Sequence, residues 1–454
     1  MTYQRAQGGE PGSSLLLTDL YELNMFQAYF EAGMEGEAVF EFFVRKLPPE
    51  RNFAMAAGLE QAVTFLEAAR FGEDEIAWLE AGGRFSASCL EALAALRFTG
   101  SVEALPEGTL VFPDEPILRL TAPLPQAQLF ESRLINILHF QTMIASKAAR
   151  MVLAAEGHTL VDFGLRRAHG AEAGLLAARA AYLAGFDGSA TVLAEARFGV
   201  PAFGTMAHSF IQAHGSEEEA FLGFARARPR QVTLLIDTYD TEEGARKVVR
   251  LAPRLAAEGA PVQAVRLDSG DLAAHARAVR GILDEGGLAA VRIFASGSLD
   301  ENEVARLLRA GAPIDGFGVG TSLTTSGDRP SLDCAYKLME YDGIARRKRS
   351  EGKATWPGRK QVWRRFEKGR MAGDTVTLED DPCDGEALLV PVMREGRRLA
   401  APPALAESRV HARSQLAALP APLRTLEAAT AYPVAIAPAL RRLAEAVDRR
   451  LAAG

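Results

Sequence analysis

Cysteine is scarce: Cys89, Cys334 and Cys383 are the only three in 454 residues, and no two of them form a CxxC pair. That spacing offers neither a disulfide framework nor a zinc knuckle. No apolar run approaches the ~18 residues a membrane-spanning helix needs, and the N-terminal MTYQRAQGGEPGSS has no apolar signal core. The chain contains no GxxxxGK(S/T) loop, so it has no Walker A. It also lacks a GxGxxG between a strand and a helix, GVGTSL supplying only a bare GxG. Excess positive charge is missing too: the formal net charge is −7, which argues against nucleic acid as a bulk electrostatic partner. With these classes set aside, the expectation is a cytoplasmic enzyme or binding protein that neither enters a membrane nor holds nucleic acid.

What is present is ordinary globular composition, 48% hydrophobic and 24% charged, so disorder should not dominate. Single cores rarely grow far beyond ~250–300 residues, so more than one structural unit is expected. Residues 1–14, rich in Gly, Ser and Pro, should form a flexible N-terminus. An N-terminal α+β domain is expected over 15–158. It opens with a helix capped by Thr18 or Asp19, whose apolar face is Leu20, Leu23, Met25 and Phe26 and which stops at Gly33. The β-rich run Ala38–Val44 follows, then helices at Phe53–Leu66 and Asp74–Leu93, short strands between Phe98 and Leu120, and one or two helices over Gln126–Ala155. Lys147 and Arg150, three apart, share a helix face and read as a solvated basic face, and His139 reads as a core histidine.

From Thr159 the pattern changes. Apolar strand-like runs recur at Leu160–Gly164, Ala190–Leu193, Ala202–Thr205, Val232–Asp237, Val262–Asp268, Arg292–Ser296 and Gly316–Thr321. Helical patterns such as Thr241–Ala256, Leu272–Leu283 and Glu301–Ala310 lie between them. The last four strands start roughly 24–30 residues apart, the beat of parallel βα units. A β/α barrel and an open doubly wound sheet share that beat, and both gather ligands at the carboxyl ends of the strands. The catalytic domain is expected over 159–340. A C-terminal segment over 341–454 would carry a basic run at 346–365, a β segment at Ala387–Met393 and helices, and pack on the N-terminal lobe.

Chemistry concentrates at the strand ends. Arg166 and Arg167 follow the first, Thr205, His208 and Ser209 the third, and Arg266, Asp268, Ser269, Gly270 and Asp271 the fifth. Ser296-Gly297-Ser298 and Gly318-Val319-Gly320-Thr321 read as cradles in which backbone N–H groups meet a phosphate. Guanidinium forks suit phosphate or carboxylate. Asp268 and Asp271 flank Ser269-Gly270, so either could cap the following helix while the other meets ribose hydroxyls or a Mg²⁺-bound pyrophosphate. His208, among small residues after Gly204-Thr205, suits a nucleophile or base for an anionic substrate.

The strings DFGLRR (162–167), GFDG (185–188) and GTMAHS (204–209) resemble nicotinate phosphoribosyltransferases, a resemblance that runs from about Leu16 to Leu423. It implies an α/β fold: an irregular β/α barrel of parallel strands with an α+β lobe built from the N-terminal and C-terminal segments. It implies formation of nicotinate mononucleotide and pyrophosphate from nicotinate and phosphoribosyl pyrophosphate in NAD biosynthesis, with Mg²⁺ required and ATP spent through a phosphohistidine at His208. By the same resemblance His208, Arg266 and Asp268 are catalytic. Tyr21 and Phe163 sandwich the pyridine ring. Arg166, Thr205, Ser209 and Arg266 hold nicotinate. Ser296, Gly297, Gly318, Gly320 and Thr321 receive the phosphoribosyl phosphate. No side chain is expected to be a settled metal ligand, Asp268 being the candidate, and no cysteine cluster marks a structural metal. A homodimer that shares its active sites is implied as well. The nicotinamide-using relatives carry an Asp where this chain has Ala190, and removing that carboxylate favours the acid substrate. A nicotinamide or quinolinate enzyme, or a non-catalytic nucleotide sensor on the same fold, remain the alternatives. In the basic run, Lys353, Thr355, Pro357, Gly358 and Lys360 match a family string, read as structural or nucleotide-facing.

Overall fold

A computed structural model describes Gly12 and residues 14–453; apart from Gly12 and Ser14, the N-terminal stretch expected to be flexible lies outside them. The chain forms two compact units, residues 1–143 with 331–454, and residues 144–330. Among the described residues no helix is long and apolar enough to cross a membrane.

The discontinuous unit is built on a seven-stranded sheet with the strand order 344–345, 333–341, 37–46, 116–123, 101–104, 390–394 and 397–398. Its third strand, Glu37–Lys46, pairs antiparallel with both neighbours and buries seven consecutive residues, Ala38–Val44. A strand covered on both faces needs no polar alternation, which is why AVFEFFV is nearly uniformly apolar. Glu41 is the exception, and Lys360 neutralises it at 2.8 Å. A four-stranded sheet carries Lys360–Glu367 and Arg370–Leu378 as its central hairpin. Two sequence expectations need correction here. Phe53–Leu66 is not one helix, because Ala54–Met55 pairs as a short strand with Leu110–Val111 and the helix starts only at Leu59, after Gly58 at φ +98°. Asp74–Leu93 is two helices, Glu73–Ala81 and Ala87–Ala95, the second capped by the Ser86 hydroxyl. The expected cap at Asp19 stands at the N-cap position of Leu20–Glu31 but makes no capping bond; its carboxylate accepts from the Ser132 hydroxyl at 2.9 Å instead.

The 144–330 unit is a curled half-barrel of six parallel strands, in agreement with the barrel architecture expected from the sequence. In chain order these are β1 (Thr159–Asp162), β2 (Gly188–Ser189), β3 (Val232–Leu235), β4 (Val262–Leu267), β5 (Arg292–Ser296) and β6 (Gly316–Val319). Their spatial order is β2-β1-β6-β5-β4-β3. The chain thus crosses from β2 to the far edge and walks back until β6 closes on β1. Helices Thr241–Ala257, Leu272–Glu285 and Glu301–Arg309 fall within a residue or two of their predicted ends, and each is N-capped by an aspartate, Asp240, Asp271 and Asp300. The strands predicted at Ala190–Leu193 and Ala202–Thr205 are corrected. The extended segment is Gly188–Ser189, a helix begins at Val192, and Ala202 makes only a single bridge to Ser189. Gly188 sets this geometry: a Cβ there would lie 2.3 Å from the Pro201 carbonyl oxygen and 2.5 Å from the Phe203 ring.

Candidate active site

All the site residues singled out from the sequence, other than Tyr21, lie in the half-barrel unit. Tyr21 belongs to the other unit, on Leu20–Glu31, where it is 44% exposed; partial loss of water around its phenol, then its bond to Glu22, raises the pKa.

The centre is the end of β4. Arg266 donates through Nη1 to Thr205 Oγ1 at 2.7 Å and to the Met206 carbonyl at 3.3 Å, and through Nη2 to Asp268 Oδ1 at 3.5 Å. Its guanidinium carbon stands 5.8 Å from the centroid of the Phe163 ring, within cation–π range. Burial draws the guanidinium below its ordinary pKa, Asp268 and Asp237 oppose that, and the nearby Arg166 charge adds to it. An arginine remains a cation under such a shift, so the pocket holds a desolvated positive charge beside an aromatic face.

Beyond Arg266, Asp268 is held by Ser296 and Asp237. Its Oδ1 accepts from Ser296 Oγ at 2.5 Å, its own N–H donates to Asp237 Oδ2 at 2.8 Å, and Ser269 Oγ donates to the same Asp237 oxygen at 2.6 Å. Asp237 Oδ1 is buried with no hydrogen-bond partner among the described residues. The ambiguity between the two aspartates resolves here: Asp271 is the cap, accepting from the N–H groups of Ala273 and Ala274 at 3.1 Å each, and Asp268 is free for the site.

His208 opens the short helix His208–Gln212. Its Nδ1 is 3.1 Å from Thr238 Oγ1, and its Nε2 is 3.8 Å from Asp268 Oδ2. With Nδ1 engaged by the hydroxyl, Nε2 is the nitrogen left for an electrophile. Ser209, next along, is exposed.

The two cradles are neighbours, because Ser296 at the end of β5 pairs with Gly318 in β6. Gly297, at φ +91°, passes so close to the Asp268 carbonyl that a Cβ would stand 2.1 Å from the oxygen. Gly318 lies under Phe163, where a Cβ would be 2.3 Å from the ring. Gly320 and Thr321 continue this end into the turn Thr321–Thr324. A cavity of about 480 Å³ runs along this face of the sheet and is lined by Phe163, Phe203, Thr205, Arg266, Phe294 and Gly318 among others. That volume is in the range of small-molecule sites, ~300–1,000 Å³.

Behind Phe163, Asp162 is 1% exposed and accepts from the Gly164 N–H at 2.8 Å and from Ser189 Oγ at 2.7 Å. Its carbonyl accepts the Ala190 N–H at 2.8 Å. Burial pushes its carboxyl up to about 6. Asp162 thus locks the turn carrying Phe163 to the turn carrying Ala190. Neither its partners nor the pairing of Asp237 with Asp268 and of Thr238 with His208 could be read from sequence, although LLIDTYD and DFG each place a carboxylate at a strand end.

The chain matches family models for the nicotinate phosphoribosyltransferase N-terminal domain over residues 16–139, the family core over 158–345 and the C-terminal domain over 381–444. A Mycobacterium tuberculosis protein named nicotinate phosphoribosyltransferase is 52% identical over 423 residues, 93% of this chain and 91% of that one. The Bacillus subtilis protein of the same name is 39% identical, covering 84% and 80%. The crystal structure of human nicotinic acid phosphoribosyltransferase superimposes with a TM-score of 0.86 at 30% identity, over 95% of this chain and 100% of the human one. With the strand-end residues assembled at one half-barrel and the match running through all three parts of the chain, the protein belongs to the nicotinate phosphoribosyltransferase family.

Proposed function

We propose that this chain is a nicotinate phosphoribosyltransferase of NAD biosynthesis and salvage. It joins nicotinate to 5-phosphoribosyl 1-pyrophosphate, releases pyrophosphate, and couples the transfer to ATP hydrolysis through His208, as a ligase-type enzyme. The observation that carries the reading is the Arg266 guanidinium, desolvated beside the Phe163 ring with Thr205 on one edge and Asp268 on the other. A planar acid fits such a slot, its ring on Phe163 and its carboxylate on Arg266, Thr205 and Arg166, with Ser209 at the rim.

The pyridine nitrogen then attacks C1 of the ribose as pyrophosphate leaves. Catalysis rests on orientation and on charges placed where charge develops. Ser296, Gly297, Gly318, Gly320 and Thr321 are assigned to the donor phosphate, and Asp268 to the ribose and the metal-bearing edge. Mg²⁺ fits the residues present: Asp237 Oδ1 is buried without a partner among the described residues, and the Asp268 N–H donates to the other oxygen of Asp237. Mg²⁺ ordinarily takes one or two carboxylates and completes its shell with water and phosphate oxygens; bound there it would offset pyrophosphate charge. For the ATP half-reaction His208 Nε2 attacks the γ-phosphorus and ADP departs, while Thr238 holds Nδ1.

We place the enzyme in the cytoplasm and assign it a homodimer in which Tyr21 of a second copy covers the pyridine ring. The exposure of Leu17, Leu20 and Tyr21 as a set supports this. The reading is tested by incubating the protein with the donor, Mg²⁺ and ATP and following product by mass spectrometry. Nicotinate should yield its mononucleotide; product from nicotinamide or quinolinate instead would refute the assignment.

A further inference from the structure

Lys147 and Arg150, which the sequence suggested on a solvated face, are buried within the half-barrel unit. Lys147 Nζ lies 2.6 Å from Glu301 Oε2 and 2.7 Å from Asp328 Oδ1, and Arg150 Nε donates to the other Glu301 oxygen at 3.2 Å. The two carboxylates come from different parts of the chain. Glu301 is the first residue of Glu301–Arg309, separated from the Ser296-Gly297-Ser298 turn by Leu299 and the N-cap Asp300. Asp328 follows the turn after β6, a tight segment in which Ser326 sits at φ +44° and the Gly327 N–H returns to the Ser322 carbonyl at 3.0 Å.

The strand pairing of Ser296 with Gly318 fixes where both cradles begin, and the Lys147 ammonium ties together the segments that follow them. A buried ammonium between two carboxylates resists displacement, because moving either carboxylate leaves an uncompensated charge out of water. Asp328 is the softer of the two, with its side chain 31% exposed on a loop against 1% for Glu301.

We propose that Lys147 is a positioning residue for the phosphoribosyl donor: by pairing with Glu301 and Asp328 it sets the spacing of the two phosphate-cradling turns. The proposal rests on the phosphoribosyltransferase reading. It predicts a larger effect on the donor than on nicotinate, since Phe163, Thr205 and Arg266 come from other segments than Glu301 and Asp328.

The test compares the wild type with Lys147→Met, Asp328→Asn and the double variant, measuring KM for donor and for nicotinate separately, kcat and melting temperature. Binding of inorganic pyrophosphate with Mg²⁺ is measured by calorimetry. Each single variant should raise the donor KM about tenfold or more, while the nicotinate KM and kcat at saturating donor stay within about twofold. The double variant should be no worse than the poorer single, the signature of one shared contact. A fall in melting temperature with the donor KM unchanged would overturn the proposal, as would a parallel loss for both substrates. If Lys147→Met does not fold, Asp328→Asn on its partly exposed loop decides alone. If the wild type makes no product, the functional reading fails, and pyrophosphate binding then judges the positioning role: weakened in Asp328→Asn it stands, unchanged it falls.

Discussion

Asp162 and Ser189 face each other at 2.7 Å across the ends of β1 and β2, with the carboxylate fully buried. Burial raises this carboxyl from its ordinary value of 3.8 to about 6, and its neutral partners, the Ser189 hydroxyl and the Gly164 N–H, oppose the shift without cancelling it. A raised folded pKa means that the folded state holds the proton longer than the unfolded chain. The contribution of Asp162 to stability is therefore fully present below about pH 4 and is lost as pH rises through about 6, a change of roughly 2–3 kcal/mol. Asp162→Asn mimics the protonated form. Its stability relative to wild type, measured by urea unfolding, should rise between pH 4 and pH 7; a difference that stays flat over this window would contradict the account.

On the proposed reading Arg266 anchors the acid. Arg266→Lys keeps the charge and loses the planar fork that meets Thr205 and a substrate carboxylate together, so kcat/KM for nicotinate should fall about a hundredfold. Thr205→Val removes one hydroxyl from that fork and should raise the nicotinate KM about threefold to tenfold with little change in the donor KM. Steady-state kinetics with each substrate varied in turn separate these outcomes.

Ala190 follows the Ser189 that Asp162 holds, and its side chain is exposed. Ala190→Asp places a carboxylate where an acid substrate would be repelled. Nicotinate turnover should drop at least about tenfold while nicotinamide turnover stays equal or rises. Unchanged nicotinate kinetics would remove Ala190 from the specificity argument.

Arg364, within the basic run, is fully buried. Its Nη2 is 2.6 Å from Asp374 Oδ2, its Nη1 donates to Gln415 at 3.0 Å, and Tyr432 donates to Asp374 Oδ1 at 2.8 Å. Burial, then the neighbouring Asp374, holds the Glu115 carboxyl well above the usual range in the same cluster. Asp374→Asn leaves the guanidinium short of its counter-charge and should cost about 3–5 kcal/mol in denaturant unfolding. A cost below about 1 kcal/mol would restore a surface role to this part of the run.

These cases show where the sequence was informative. The strand ends were legible because Gly, Ser, Asp and Arg interrupt apolar runs at regular spacing, and Phe163, Thr205, Arg266, Asp268, Ser296 and Gly318 do converge in one unit. Charges with distant partners were not. Lys147 and Arg150 have the same three-residue spacing whether they face water or Glu301, and Arg150 lies 151 positions from that partner. Lys360 and Arg364 look solvated until Glu41, which is 319 positions from Lys360, and Asp374 fold against them. The helix cap at Asp271 rather than Asp268 was equally hidden, because both stand at compatible spacing and it is Asp237, Ser296 and Arg266 that draw Asp268 away.

On the proposed reading His208 carries phosphate from ATP to drive nicotinate transfer. The direct measurement is the ratio of ADP to nicotinate mononucleotide in wild type and in His208→Ala, together with acid-labile, alkali-stable radiolabel on the protein after exposure to γ-labelled ATP. The account predicts label on the wild type alone, ATP-stimulated synthesis in the wild type, and a variant that retains slow synthesis without ADP release. Equal ATP stimulation in both proteins, or label that survives the loss of His208, would contradict it.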